Sequence, residues 1–336
     1  EVTVFFTEIG QDIELYERFK AIKQSPEFAT LSPAQQTKLA HDLRGFVLSG
    51  AELPSAQQAE LAALQTEAAQ LSAQFSQNVL DATDAFALYF EDDSSLKGLP
   101  EDALAMFQAA AAAEQKTGYK IGLQMPHYIA VMQYADNRDL REQVYRAYVT
   151  RASELGKTEW DNTPIIDRTL EIALAQAKLL GYHNYAELSL VTKMADSPAQ
   201  VLDFLHDLAR RAKPFAEKDL AQVRAFAAEK LGLPELQAWD TAYASEALKQ
   251  ERYAFSDNEV KQYFALPRVL AGLFGLVERL FGVQIGEDQA EGWHPDVRFY
   301  RITRNGELLG QFYLDLYARE AKQPGAWMND CRGRQH

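Results

Sequence analysis

Cysteine is almost missing from this chain: one residue, Cys331, in 336. No disulfide can form within the chain and no cysteine-based metal site can be built, which fits a reducing compartment. Positive charge is also scarce. Lys and Arg total 34 against 48 Asp and Glu, a net charge of −14. Such a chain repels phosphate backbones, so nucleic-acid binding is excluded as a main task and solubility is favoured. Long apolar runs are missing too, since residues 269–277, the most apolar stretch, are far too short to span a bilayer. The opening EVTVFFTEIGQD lacks the basic region and long apolar core of a signal peptide. There is no Asn-x-Ser/Thr sequon. These absences together predict a cytoplasmic protein with no nucleic-acid and no membrane partner.

Several catalytic motifs are missing as well. None of the six histidines (His41, His127, His183, His206, His294 and His336) stands in H-E-x-x-H, where two imidazoles one helical turn apart share a face and Glu activates water. The nearest approach is His183 with Glu187, which supplies two ligands at most, and packing or surface placement accounts for that pair better. No G-x-S-x-G elbow exists, and Cys331, next to Asp330, is read as inert. GLFGLVERLFG has glycines but no Lys-Ser/Thr ending, so it reads as a packed helix and not a phosphate loop. No repeat of fixed period and no low-complexity tail is visible.

What is present is length and helical periodicity. With 336 residues, 47% of them hydrophobic, the chain can build one large or two ordinary domains around a sizeable core. Ile13, Tyr16, Phe19 and Ile22 form a helical stripe closed by Pro26. Ser32-Pro33 opens the next helix, with Leu39, Leu43 and Phe46 on its buried face and Gly50 at its end. Ser55 begins a long helix whose Leu61, Leu64, Ala68, Leu71, Phe75 and Asn78 follow a 3-4-3-4-3 spacing. That spacing predicts an internal helical hairpin in preference to a dimer zipper. Two extended pieces, 85–91 and 119–123, flank an Ala-rich helix from Pro100 to about Gln115 and can pair as a ribbon. In NRDLREQVYRAYVTRAS the acids Asp136, Asp139 and Glu142 lie among the arginines, so a salt-bridged helix face is the expectation.

Further helices are expected from Asn162-Thr163-Pro164 to Leu180-Gly181 and from Ser197-Pro198 to Leu231-Gly232, the second bent or divided at Pro214. Residues 232–238 read as a linker and Asp240 as the cap of the helix that follows. Ser256 to Glu259 forms a capping box, and 265–281 an apolar helix.

The character then changes. From 297 to 317 bulky residues alternate between faces on either side of Asn305-Gly306, a dipeptide suited to a tight hairpin turn. A two-stranded ribbon is marginal alone, so these strands need partners. Beyond them lies Pro324-Gly325-Ala326-Trp327-Met328. Small residues beside a strand let another backbone approach, and an exposed sheet edge can accept a peptide as an added strand. A turn followed by an ordinary internal strand is the plainer account of the same residues.

GQFYLDLYARE followed by PGAWMNDC resembles the segment just before the zinc site of the thimet-type (M3) metallopeptidases. LREQVYRAYVTRAS, WDNTPIID, LLGYHNYAELSLVTKMADSPAQVLDFL and WHPDVRFY look like segments of the same family in the same order. The first ~120 residues match less distinctively. The resemblance implies a mainly α, multi-helical zincin-like oligopeptidase architecture with a small β-sheet near the C-terminal end. It implies zinc-dependent cleavage of short unstructured peptides in a channel between two lobes.

It further implies that Gly325, Ala326, Trp327 and Met328 contact substrate beside the zinc. The zinc ligands would come from chain beyond His336. The expectation is therefore a fragment, in keeping with its start at Glu and its stop soon after a strand-like segment. Residues 1–232 would form a helical lobe walling the channel, and 233–336 the incomplete start of a catalytic lobe. No catalytic or metal-binding residue and no bound zinc are expected in this chain, which would be inactive alone. Its partners would be short peptides and the missing C-terminal part of the same protein. A non-catalytic helical binding scaffold is the alternative.

Overall fold

Helix starts follow local chemistry closely. The chain is seen here in a computed structural model that describes residues 2–255 and 257–333. Helix α1 (Val2–Gly10) is followed by α2 (Ile13–Gln24), where the Asp12 carboxylate accepts the Leu15 N–H at 2.9 Å. Ser32 and Gln35 form a reciprocal capping box at the start of α3 (Pro33–Leu48), with Pro33 in the first turn. The long α4 (Ser55–Asp84) leads to β1 (Leu88–Phe90), α5 (Glu101–Ala113) and β2 (Tyr119–Ile121). Then come α6 (Met125–Tyr134), α7 (Arg138–Val149), α8 (Thr163–Leu179), α9 (Tyr185–Leu190) and α10 (Pro198–Lys230). Helices α11 (Thr241–Tyr253), α12 (Asp257–Lys261) and α13 (Leu266–Phe281) precede β3 (Gln284–Glu287), β4 (Arg298–Arg304) and β5 (Glu307–Leu314). The protein is mainly α, with a small antiparallel sheet near its C-terminal end.

Of the bend or break expected at Pro214, the break does not occur: α10 runs unbroken through it. Proline removes one N–H and crowds the preceding turn, but the turns on either side remain helical. The strand β3 was not expected either; Gln284–Glu287 is too short to show an alternation. The capping box expected from Ser256 lies outside the described residues.

The chain forms two compact units, each made of two stretches: 1–82 with 150–217, and 83–149 with 218–336.

In the first unit, α2 packs on α3 around buried Tyr16, Leu39, Leu43, Phe46 and Ala51. Side chains link α4 to α8 and to Asn162, the residue just before it, where a hairpin with a neighbouring helix was expected. Buried Asn78 donates from Nδ2 to Oδ1 of Asn162 at 2.9 Å, and Asn162 Nδ2 donates to the Phe75 carbonyl at 3.1 Å. Further along, Arg168 clamps Glu67 with bonds of 2.7 and 2.9 Å.

In the second unit, β1 and β2 pair antiparallel as expected, Leu88 opposite Ile121. Their core holds fully buried Phe107, Ile121, Val131 and Val144. Removing such side chains from water supplies ~1.5–3 kcal/mol each. His127 is buried beside Phe107, ring centroids 4.9 Å apart, and its Nδ1 accepts the Gly122 N–H at 3.0 Å.

Asp240 was expected to cap α11. It stands at the cap position, but its side chain makes no capping bond to that helix. The carboxylate accepts instead from Arg141 (2.9 Å) and Arg138 (2.7 Å) of α7, and from the Gln237 N–H. A charge-assisted bond to guanidinium is stronger than one to a neutral amide, so the arginines win. The pairing of Arg146 with Glu142 on α7 follows the expected salt-bridged pattern.

The sheet runs β3-β4-β5, all antiparallel. Asn305 and Gly306 both take positive φ, +52° and +84°, the two-residue turn that matches strand twist. Tyr300 and Phe312 face each other across the strands and receive Phe274 of α13, centroids 5.0 and 6.1 Å away. Thus β3 and α13 are the partners that the hairpin needs.

Candidate functional site

The face of the sheet opposite α13 carries Phe299 and Tyr313, rings 4.5 Å apart, with Trp293 against Tyr313 at 5.0 Å. These rings and the connection from β3 to β4 enclose an open hollow of about 650 Å³, rimmed by Glu287, Asp288 and Arg298. Asp288 accepts the Gln289 backbone N–H and the Gln311 amide, which hold its carboxyl below the usual range.

Just past β5, the side chain of Asp315 gathers four donors. Arg319 approaches as a fork, Nη1 to Oδ1 at 2.7 Å and Nη2 to Oδ2 at 2.8 Å. Lys322 Nζ reaches Oδ1 at 3.0 Å and Trp293 Nε1 reaches Oδ2 at 3.0 Å. Each carboxylate oxygen therefore accepts two bonds, filling its capacity. The Arg319 fork foremost, with Trp293 and Lys322, drives the Asp315 carboxyl far below its ordinary range, against burial, which pushes it up. Sequence reasoning missed this cluster. Its signal was the Asp-x-x-x-Arg spacing in DLYAR, which here serves an irregular stretch and not a helix.

The predicted substrate residues Gly325, Ala326, Trp327 and Met328 follow. They lie in exposed chain without regular structure, so the strand expected there is not formed. Pro324 cannot donate to a ladder, and Gly325 takes φ +106°, outside strand geometry. Trp327 and Met328 are 66% and 83% exposed. Among the described residues, no backbone–backbone hydrogen bond involves 324–328. The outer edge of β5 is likewise unpaired there.

No three His, Cys, Asp or Glu side chains converge to hold a metal ion among the described residues. The described residues therefore do not fit a zinc site. Glu187 receives the His183 N–H and lies 3.1 Å from its Nδ1, while Asn184 caps α9 through the Glu187 N–H. That pair closes a helix end on the surface. Cys331 is exposed.

Comparison with known proteins decides the family. Residues 131–336 match peptidase family M3. The chain belongs to that family. Among family relatives, oligopeptidase A of Salmonella typhimurium is 46% identical over 333 residues, 98% of this chain and 49% of the relative. The organellar oligopeptidase A of Arabidopsis thaliana is 39% identical over 99% of this chain and 43% of its own. Dipeptidyl carboxypeptidase of Escherichia coli is 34% identical over 96% of this chain and 48% of its own. The chain thus spans about half the length of the curated relatives it matches.

Proposed function

We propose that this chain is part of a cytoplasmic, zinc-dependent oligopeptidase that hydrolyses short unstructured peptides with metal-activated water. The observation that carries the reading is 46% identity to an oligopeptidase A across nearly the whole chain. The chain contains no H-E-x-x-H and spans about half of its relatives' length, so the reading assigns the zinc and its general base to the rest of a protein of that length. This chain alone is then inactive. Its contribution is to bind and align the peptide.

Gly325, Ala326, Trp327 and Met328 are assigned to substrate contact. Two observations support this. Their backbone groups are free of other backbone partners among the described residues, and the stretch is exposed. An extended peptide can take up such groups by strand-like pairing that ignores its sequence. Residues 1–232 would serve as the wall that admits only short peptides, and 233–336 as the start of the catalytic lobe, completed by the C-terminal part.

The test uses a protein of the relatives' length. Metal analysis should return zinc, and short peptides should be cleaved while folded proteins are not. A zinc-free protein that hydrolyses no peptide overturns the proposal and leaves the helical binding scaffold in its place.

A further inference from the structure

The chain between β5 and the proposed substrate residues has no ladder to fix its path. Residues 315–319 form neither helix nor strand, and a turn follows at 320–321. Side chains do the fixing. Lys322 Nζ donates to the backbone carbonyls of Asp315 (2.8 Å) and Tyr317 (2.7 Å) as well as to the Asp315 carboxylate. Ala321, at φ +59°, donates its N–H to Oδ2 of Asp84 at 2.9 Å. The other Asp84 oxygen accepts the Gln124 amide at 3.0 Å. Trp293 ties the same knot to the sheet through its contact with Tyr313. The Asp315, Arg319 and Lys322 side chains are only 16, 23 and 17% exposed, although the stretch is irregular. From 323 to 333 the chain is open to solvent. The last fixed point before Gly325 is therefore Lys322, and Lys322 is held by Asp315.

We infer that Asp315 is a positioning residue for peptide binding: it holds Arg319, Lys322 and Trp293 together and thereby aims the Gly325–Met328 segment. This rests on the assignment of that segment to substrate contact. The carboxylate is specifically required. It accepts four bonds at once, whereas an amide has one oxygen and turns two hydrogens toward groups that are themselves donors. Asp315→Asn must then release Lys322 or Arg319, and the segment loses its fixed start. A displacement of about 1 Å in a positioning element can cost as much as ~100-fold.

Three variants of the full-length protein test this: Asp315→Asn, Ala326→Pro and the double variant. The readouts are KM and kcat on a short peptide and the Kd of a non-cleavable peptide. Ala326→Pro removes an N–H on which strand-like pairing depends. Asp315→Asn is expected to raise KM and Kd roughly tenfold while kcat changes little. The double variant should be no worse than the poorer single one, because both act through one segment.

Should Asp315→Asn fail to fold, Trp293→Phe and Lys322→Met remove one donor or anchor each and should raise KM about threefold. If Ala326→Pro changes nothing, the segment is not the substrate contact. If Ala326→Pro raises KM while the Asp315 and neighbouring variants do not, or the effects simply multiply, the positioning role falls and the substrate assignment stands.

Discussion

Arg141 and Asp240, 99 residues apart in sequence, meet at 2.9 Å with their side chains 1% and 0% exposed. Arg141 also donates to the carbonyls of Ala135, Asp136 and Trp239, and its guanidinium lies 4.1 Å from the Tyr243 ring centre. The pair joins α7 to the start of α11 within one unit. Removing one partner strands a buried charge, which costs ~3–5 kcal/mol. Asp240→Ala should lower the stability of that unit by about this amount in urea unfolding, with Arg141→Met less harmful in the Asp240→Ala background than alone.

The pH dependence of Asp240 has a definite sign. Burial pushes its carboxyl up, but the bonds from Arg138 and Arg141 outweigh this and hold it below its ordinary 3.8. Its contribution is complete above that ordinary value and is lost as pH falls through the lower folded-state value.

His127 acts in the same sense, from a different cause. Burial, helped by the charge of Lys120, lowers it from 6.5 to about 4. The unfolded chain therefore binds a proton between those values that the folded one refuses, and stability declines as pH falls from 6.5 toward 4. The loss reaches ~3 kcal/mol at the acid end. His127→Asn keeps an acceptor for the Gly122 N–H and cannot take up the proton. Thermal unfolding from pH 7 to 4.5 should show a flatter profile for the variant than for the parent.

The Asn78–Asn162 bond is a buried polar contact between α4 and the residue that precedes α8. Asn162→Ala deprives both Asn78 and the Phe75 carbonyl of a partner, and should cost ~1–3 kcal/mol. Replacing both asparagines by leucine should cost less than the single change, as measured by denaturant midpoints.

Gly306 tests the hairpin. Nothing lies within 4 Å of where its side chain would begin, so Gly306→Val carries only the backbone penalty of a left-handed position, ~1–2 kcal/mol. Asn305→Gly should be nearly neutral, and amide exchange across β4 and β5 distinguishes the two.

Helix starts, the β1–β2 ribbon and the Asn305-Gly306 turn were legible because each depends on residues a few positions apart. Ser32 and Gln35 find each other across three residues whatever the rest of the chain does. The mistakes have the opposite origin. Asp240 looked like a cap because a nearby amide was its only visible partner; the arginines that claim it lie about a hundred residues earlier. The seam on α4 was visible, but Asn162, which bonds Asn78 from 84 residues away, was not. At the candidate site, the PGAWM segment stood out by resemblance, while the Asp315 cluster needed Trp293 brought in from before β4. The strand expected at 324–328 failed for a local reason that could have been weighed: Pro324 and Gly325 oppose a ladder.

The interleaving of the two units has a consequence for synthesis. Residues 1–82 cannot complete their unit until 150–217 have left the ribosome, and at ~5–20 residues per second that delay lasts several seconds or more. The stretch 83–149 emerges in between and must wait in turn for 218 onward. Each half-built body thus spends time with its apolar seams uncovered, so a chaperone that shields nascent chains has more to do here than for two units laid end to end.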